Sequence, residues 1–263
     1  MNYGLGCIPD SHDSRDLMFH ASSKMIHNEK LPKSANALEE FLPPVINQMS
    51  VGMCTGASFT RAAKTRMNFT GYPHPFMPSA LFLYARTRQF TNTPLTEDTG
   101  CQIRDVFKVA NQFGVCAEDS NPQWSWPFSA SDERWTVDPP DDCDTNALLH
   151  KCVKYMRLGP SENEIKSALA NNMPVVIGVA VRNSFYGDKV TKTGVIPAPG
   201  RRDTLLGGHA MFLWGYGNHK KDMADGRNSW GKDWGDDGNF HIPFELLCDP
   251  AFTSDRWAIE VYS

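Results

Sequence analysis

The chain has 263 residues, enough for one large domain or two packed lobes, and its 41% apolar and 21% charged residues exclude a disordered or fibrous chain. A net charge of −4 with no clustered basic face excludes a nucleic-acid footprint. No apolar run reaches the roughly 18 residues of a membrane span, and the start, Met-Asn-Tyr-Gly-Leu-Gly, lacks the basic and apolar regions of a secretory signal, so a cytoplasmic protein, or one released without a signal peptide, is expected.

Residues 1–30 are polar and irregular and read as an arm without a core of its own. The main domain is expected over 31–263. The pattern predicts a helix over 54–68, where Phe59, Ala62, Ala63 and Met67 share one face. A second is predicted over 79–90, just after Pro78, and a third over 103–113, stopped by Gly114. Residues 119–145, rich in Pro, Asp and Trp, read as a long connection, with Asp141 and Asp142 as turn residues. Ser161 and Glu164 have capping-box spacing before a helix that ends near Asn172, because Pro174 follows. Strands are predicted at 175–181, 209–214, 239–244 and 257–261. The stretch 222–227 is too polar and glycine-broken for a good strand. Helices in the first half and strands in the second imply an α+β fold of two lobes: a helical lobe over about 48–145, and a β lobe over about 146–263 together with 31–47.

Four residues carry candidate chemistry. Cys54 opens a predicted helix, whose positive end favours thiolate, the attacking species. Gln48 lies six residues earlier; a tight turn through Gly52 would bring its amide beside the sulfur, where it and the Cys54 N–H could donate to an oxyanion. His209 stands at the mouth of a predicted strand after Gly207 and Gly208. Asn228 heads Asn-Ser-Trp-Gly-Lys-Asp-Trp-Gly, where an amide can fix an imidazole's tautomer and tilt. Taken singly, each is as readily a structural residue.

In order and spacing they match one pattern. Asn47-Gln48 before Gly52-Met53-Cys54, His209-Ala210, and Asn228 through Gly235 resemble the signatures of the papain family of cysteine peptidases, and the resemblance runs from about Leu31 to the end. Thr55 after the cysteine, Phe82-Leu83-Tyr84, Gly114-Val115-Cys116 and Asp249-Pro250 are similar to a microbial, xylellain-like branch. The resemblance implies a two-lobed papain-like fold with the active site in the cleft between lobes. It implies peptide-bond hydrolysis by a Cys54–His209 thiolate–imidazolium pair through a thioester acyl-enzyme. Asn228 would orient His209, Gln48 would hold the oxyanion, and Trp230 would shield the His209–Asn228 bond. Gly100, Val176, Gly178 and Gly207 are the implied substrate-binding positions, with a bulky apolar side chain selected. The implied partner is a peptide or protein substrate and the working state a monomer; no cofactor or metal is implied. A silent peptide-binding homologue, or a Cys–His amidase or transpeptidase, would share these residues.

Departures from the family pattern matter. Val51 replaces a common bridging cysteine, and the absent signal favours reduced cysteines. Met49 and Met53 stand where glycine and serine are usual and are expected to narrow the cleft. The polar stretch before Asn228 leaves that residue less rigid. His219 and His241 are expected at the surface. The arm is expected to fold back over the cleft.

Overall fold

The computed structural model describes residues 3–73, 76–118 and 134–262. The first element is β1 (Cys7–Ile8), a short strand running parallel to β2 (Cys101–Gln102). The helical side carries α1 (Cys54–Thr70), α2 (Ala80–Phe90), α3 (Ile103–Gln112) and α4 (Asp141–Ala147). α2 starts where predicted because the Ser79 hydroxyl accepts from the Phe82 N–H, an N-cap. α1 ends on Gly71 in the left-handed conformation. Asp141 and Asp142, expected in a turn, occupy the first turn of α4, where the helix's positive end suits acidic side chains. The greater part of the predicted long connection, 119–133, lies outside the described residues.

The β side is a six-stranded antiparallel sheet in the order β3-β8-β4-β5-β6-β7. Its strands are β3 (Cys152–Arg157), β4 (Val175–Arg182), β5 (Leu205–Tyr216), β6 (Met223–Arg227), β7 (Asn239–Pro243) and β8 (Thr253–Tyr262). α5 (Glu162–Ala170) caps on Ser161, whose hydroxyl accepts from the Glu164 N–H at 3.4 Å. Two short helices, α6 (Asp188–Thr193) and α7 (Phe244–Cys248), complete it. One face of the sheet meets α1 in a core holding Phe59, Phe107 and Trp257; the other buries Ile165, Leu169, Met211 and Trp234.

Strand β6 corrects the reading of 222–227. Its polarity is satisfied by neighbours distant in sequence. The Asp225 carboxylate accepts from His241 Nδ1 at 2.7 Å and from the Asn218 N–H at 3.2 Å. Gly226 lies under the Phe240 ring, where a Cβ would come within 2.3 Å of Cζ. The glycine is therefore the condition for β6 and β7 to pack, and the strand is continuous. His241, expected at the surface, is 5% exposed and tied to Asp225, whereas His219 is exposed and stacks on it at 3.8 Å.

The arm divides in two. Phe19, fully buried, belongs to the β-lobe core with Met156, Leu158 and Ile165, so the arm lends a side chain to that core. Asp16 makes a two-pronged bond to Arg104 of α3 (2.9 and 2.8 Å) and meets Arg157 of β3 at 3.2 Å. Residues 3–9 lie in the cleft between the lobes.

Candidate active site

Cys54 is the first residue of α1 and is fully buried. Backbone N–H groups of Ala210, Gly6 and Thr55, and its own, face the sulfur and favour its charged form. Ala210 follows His209 on β5, so the sulfur faces the strand that carries the histidine. His209 Nε2 meets Asn228 Oδ1 at 2.8 Å. That oxygen also accepts from the Ser229 N–H at 2.8 Å, so it acts as acceptor and the imidazole carries its proton on Nε2. Nδ1 has no hydrogen-bond partner among the described residues and keeps its lone pair unengaged.

Asn228 is not loosely held. It is 2% exposed, its N–H donates to Gly238 O at 2.9 Å, and the neighbouring Arg227 is fixed to Asn239 Oδ1 (3.0 Å) and Pro43 O (2.6 Å). The expectation of a less rigid Asn228 fails with the misread strand. Trp230 covers the pair, its ring 4.6 Å from that of His209.

Gln48 joins the same string. Its N–H donates to Ser229 O at 2.9 Å, and its Oε1 accepts from the Ser229 hydroxyl. Its Nε2 donates to Val51 O at 2.8 Å and to Gly4 O, in the arm, at 3.1 Å. The turn before Cys54 is pinned by Asp98, whose carboxylate accepts from the Gly52 N–H (3.0 and 2.9 Å) and from the Tyr84 hydroxyl. Met49 adopts the left-handed φ of 54° where the family has glycine, and its carbonyl accepts from the Gly4 N–H at 2.9 Å. Met53, expected to narrow the cleft, is instead fully buried in the inter-lobe core.

The arm touches most of the implied substrate positions. Tyr3 stacks on Trp230 with centroids 4.6 Å apart and planes 4° from parallel. Leu5 packs on Gly207, the Cys7 carbonyl on Gly208 and the Cys7 sulfur on Gly178. Gly6 passes so close to Gly52 that a Cβ would stand 1.9 Å from the Gly52 carbonyl oxygen. Gly100 (φ 76°) gives its N–H to the Tyr84 hydroxyl; the backbone donor to the arm is Cys101, whose N–H reaches Gly6 O at 2.8 Å. Val176 lies two residues along the Gly178 face of β4, fully buried. Beyond Gly207 and Gly208 the arm leaves an apolar cavity of about 430 Å³, lined by Pro9, Val179, Leu205 and Phe252 among others.

Burial under the arm changes the electrostatics. Loss of water pushes the Cys54 thiol up to about 11, although N–H groups of Ala210 and Gly6 pull it down. The same loss pushes His209 down to about 4 against the Asn228 bond. In the covered site burial therefore disfavours the charged form of each group.

A family model described as papain family cysteine protease matches residues 31–248. The chain belongs to that family. It is 31% identical, over 97% of its length and 86% of the relative's, to a peptidase C1-like protein of Acanthamoeba polyphaga mimivirus. Bovine cathepsin S is 28% identical over 80% of this chain, which spans 60% of that protein. In structure it is similar to xylellain, a cysteine protease of Xylella fastidiosa, with a TM-score of 0.84, 30% identity, and 99% and 97% of the two chains covered. The papain-like α+β fold expected from sequence is the fold observed, with the cleft between helical and β sides. Tyr84 was legible only as part of a branch feature, with no role given it, and Ser229, the part of Asp98 in the turn and the arm glycines were missed. Ser229 lay inside the Asn-Ser-Trp-Gly motif, and the Gly4-x-Gly6 spacing was the only local sign of the close passage.

Proposed function

We propose that the chain is a cysteine endopeptidase that hydrolyses peptide bonds, with Cys54 as nucleophile and His209 as base, and that it is latent while residues 3–9 fill the cleft. The observation that carries this reading is the Gly4 carbonyl on the Gln48 amide: the site already binds a main-chain carbonyl where an oxyanion would form. With the arm displaced, water returns, the burial penalty on both groups falls, and proton transfer from Cys54 to His209 becomes favourable. The thiolate then attacks a substrate carbonyl whose oxygen takes the place of Gly4 O, held by Gln48 Nε2 and the Cys54 N–H. His209 gives its proton to the leaving amine, and a water activated by His209 releases the acyl group from sulfur. Asn228 keeps the imidazole in one tautomer throughout. The apolar cavity beyond Gly207 and Gly208 suits a bulky apolar substrate side chain.

The arm escapes attack for a geometric reason. The carbonyl on Gln48 belongs to Gly4, whereas the N–H on the Cys54 sulfur belongs to Gly6. The peptide group on the oxyanion donor is thus not the one whose N–H faces the nucleophile.

The test is hydrolysis of a panel of fluorogenic peptides under reducing conditions, comparing the chain with Cys54→Ala. Cleavage that disappears with Cys54 is expected. Cleavage that survives the substitution would refute the nucleophile. Silence in both, also after residues 1–8 are removed, would favour a peptide-binding homologue or a different acyl acceptor.

A further inference from the structure

Where the arm crosses the cleft it brings together two thiols that the proposed reaction does not use. Cys7 of β1 is the direct register partner of Cys101 of β2. The ladder is closed there by the Cys101 N–H on Gly6 O at 2.8 Å. Neighbouring strands run about 4.8 Å apart, inside the roughly 4.4–6.8 Å between Cα atoms that a disulfide requires. Register partners project their side chains to the same face of a ladder. Both residues are buried, 6% and 4% exposed, and both are free thiols. Cys7 belongs to the arm and Cys101 to the cleft wall, so a bond between them would span the one junction that must open.

We propose that Cys7 and Cys101 form a reversible disulfide under oxidation, which fastens the arm in the cleft and makes opening of the site redox-controlled. This rests on the reading of the arm as a cover. The oxidant is a peroxide. One sulfur, as thiolate, attacks a peroxide oxygen to give a sulfenic acid and one water; the second sulfur displaces the sulfenic hydroxyl as another water. Two thiols lose two electrons and two protons, and one peroxide is reduced. Burial holds both thiols well above their ordinary pKa in the docked arm, with Cys54 close enough to add to each shift. The first step therefore occurs when the arm lifts, and the condensation when it returns. A small thiol reductant reverses the bond by exchange.

The experiment treats the full chain with hydrogen peroxide, blocks free thiols with iodoacetamide and maps the peptides by mass spectrometry. A linked pair containing Cys7 and Cys101, lost on reduction, is expected. In a Cys54→Ala chain, where the nucleophile cannot oxidise, amide hydrogen exchange of residues 3–8 should slow by about tenfold or more on oxidation. That slowing should recover with reductant and be absent in Cys7→Ser and Cys101→Ser. Two alkylated, unlinked residues, or Cys7 linked to Cys54, would overturn the proposal, as would equal slowing in the serine variants. Failure of the cover reading looks different: the disulfide would form and exchange would slow, while removal of residues 1–8 left peptide hydrolysis unchanged.

Discussion

At the scale of single residues, a hydrogen-bonded string runs from His209 through Asn228 and Ser229 to Gln48, joining three of the four residues singled out from sequence through one that was not. Ser229 makes the link, its N–H on Asn228 and its hydroxyl on Gln48. Motif spacing made the four candidates legible although only Cys54 opens an element; His209, read as the mouth of a strand, lies four residues inside β5. Ser229 stayed hidden because a serine beside a motif asparagine has no signature of its own. In the active chain, Asn228→Ala should lower kcat/KM by about 10- to 100-fold, since a hydrogen bond to a group that becomes charged contributes about 1.5–3 kcal/mol. Residual activity well above that of Cys54→Ala is expected, because the asparagine orients and does not react. Steady-state kinetics of the two variants checks this, and equal loss in both would assign Asn228 a larger part.

At the scale of elements, two segments depart from their local pattern for the same reason. β6 looked unsuitable as a strand, and residues 3–9 looked like irregular tail. In each, polar groups and glycines are matched by residues far away: Asp225 and Gly226 by His241 and Phe240, Gly4 and Gly6 by the backbone at 49–52 and 101. Such partners are invisible to periodicity, which reads only neighbours along the chain. Helices α1, α2, α3 and α5 were legible because their caps and apolar faces are local. The arm's passage gives a direct prediction. Gly6→Ala places a Cβ on the Gly52 carbonyl, an overpacking worth about 1–3 kcal/mol. It should displace the arm and raise peptide hydrolysis roughly tenfold or more, whereas Leu5→Ala, which only trims a contact at Gly207, should raise it less. Unchanged hydrolysis in Gly6→Ala would remove the arm from the account of latency.

At the scale of the molecule, the arm both covers the site and ties the lobes. Asp16 bridges Arg104 of the helical side and Arg157 of the β side; Asp10 accepts from the Arg104 N–H at 3.0 Å and Trp257 Nε1 at 2.7 Å. Asp10 lies beside Asp255 in a buried setting, and burial followed by that like charge raises its pKa. Arg104 has a side chain only 3% exposed, so Asp16→Ala would leave a buried guanidinium short of its partner. A loss of about 3 kcal/mol is expected, read as a lower denaturant midpoint; a shift under about 1 kcal/mol would place the pair among surface ion pairs. The same geometry shows why a cut after residue 30 would unsettle the fold: it would remove buried Phe19 as well as the cover. The two-lobed α+β plan was legible from the separation of helical and strand patterns. The role of residues 10–30 in joining the lobes was not, because ion pairs across lobes leave no periodic trace.

The most direct measurement is the rate of Cys54 alkylation by iodoacetamide as a function of pH, in the reduced chain with and without residues 1–8. Burial holds the covered thiol up at about 11, so in the full chain the thiolate, and with it the rate, should rise only on approach to that pH. Removing the cover lowers the thiol pKa and raises that of His209, so the shortened chain should alkylate rapidly at neutral pH, with its rise displaced to lower pH by several units. Coincident profiles in the two chains would contradict both the activation of Cys54 by His209 and the latency of the covered site.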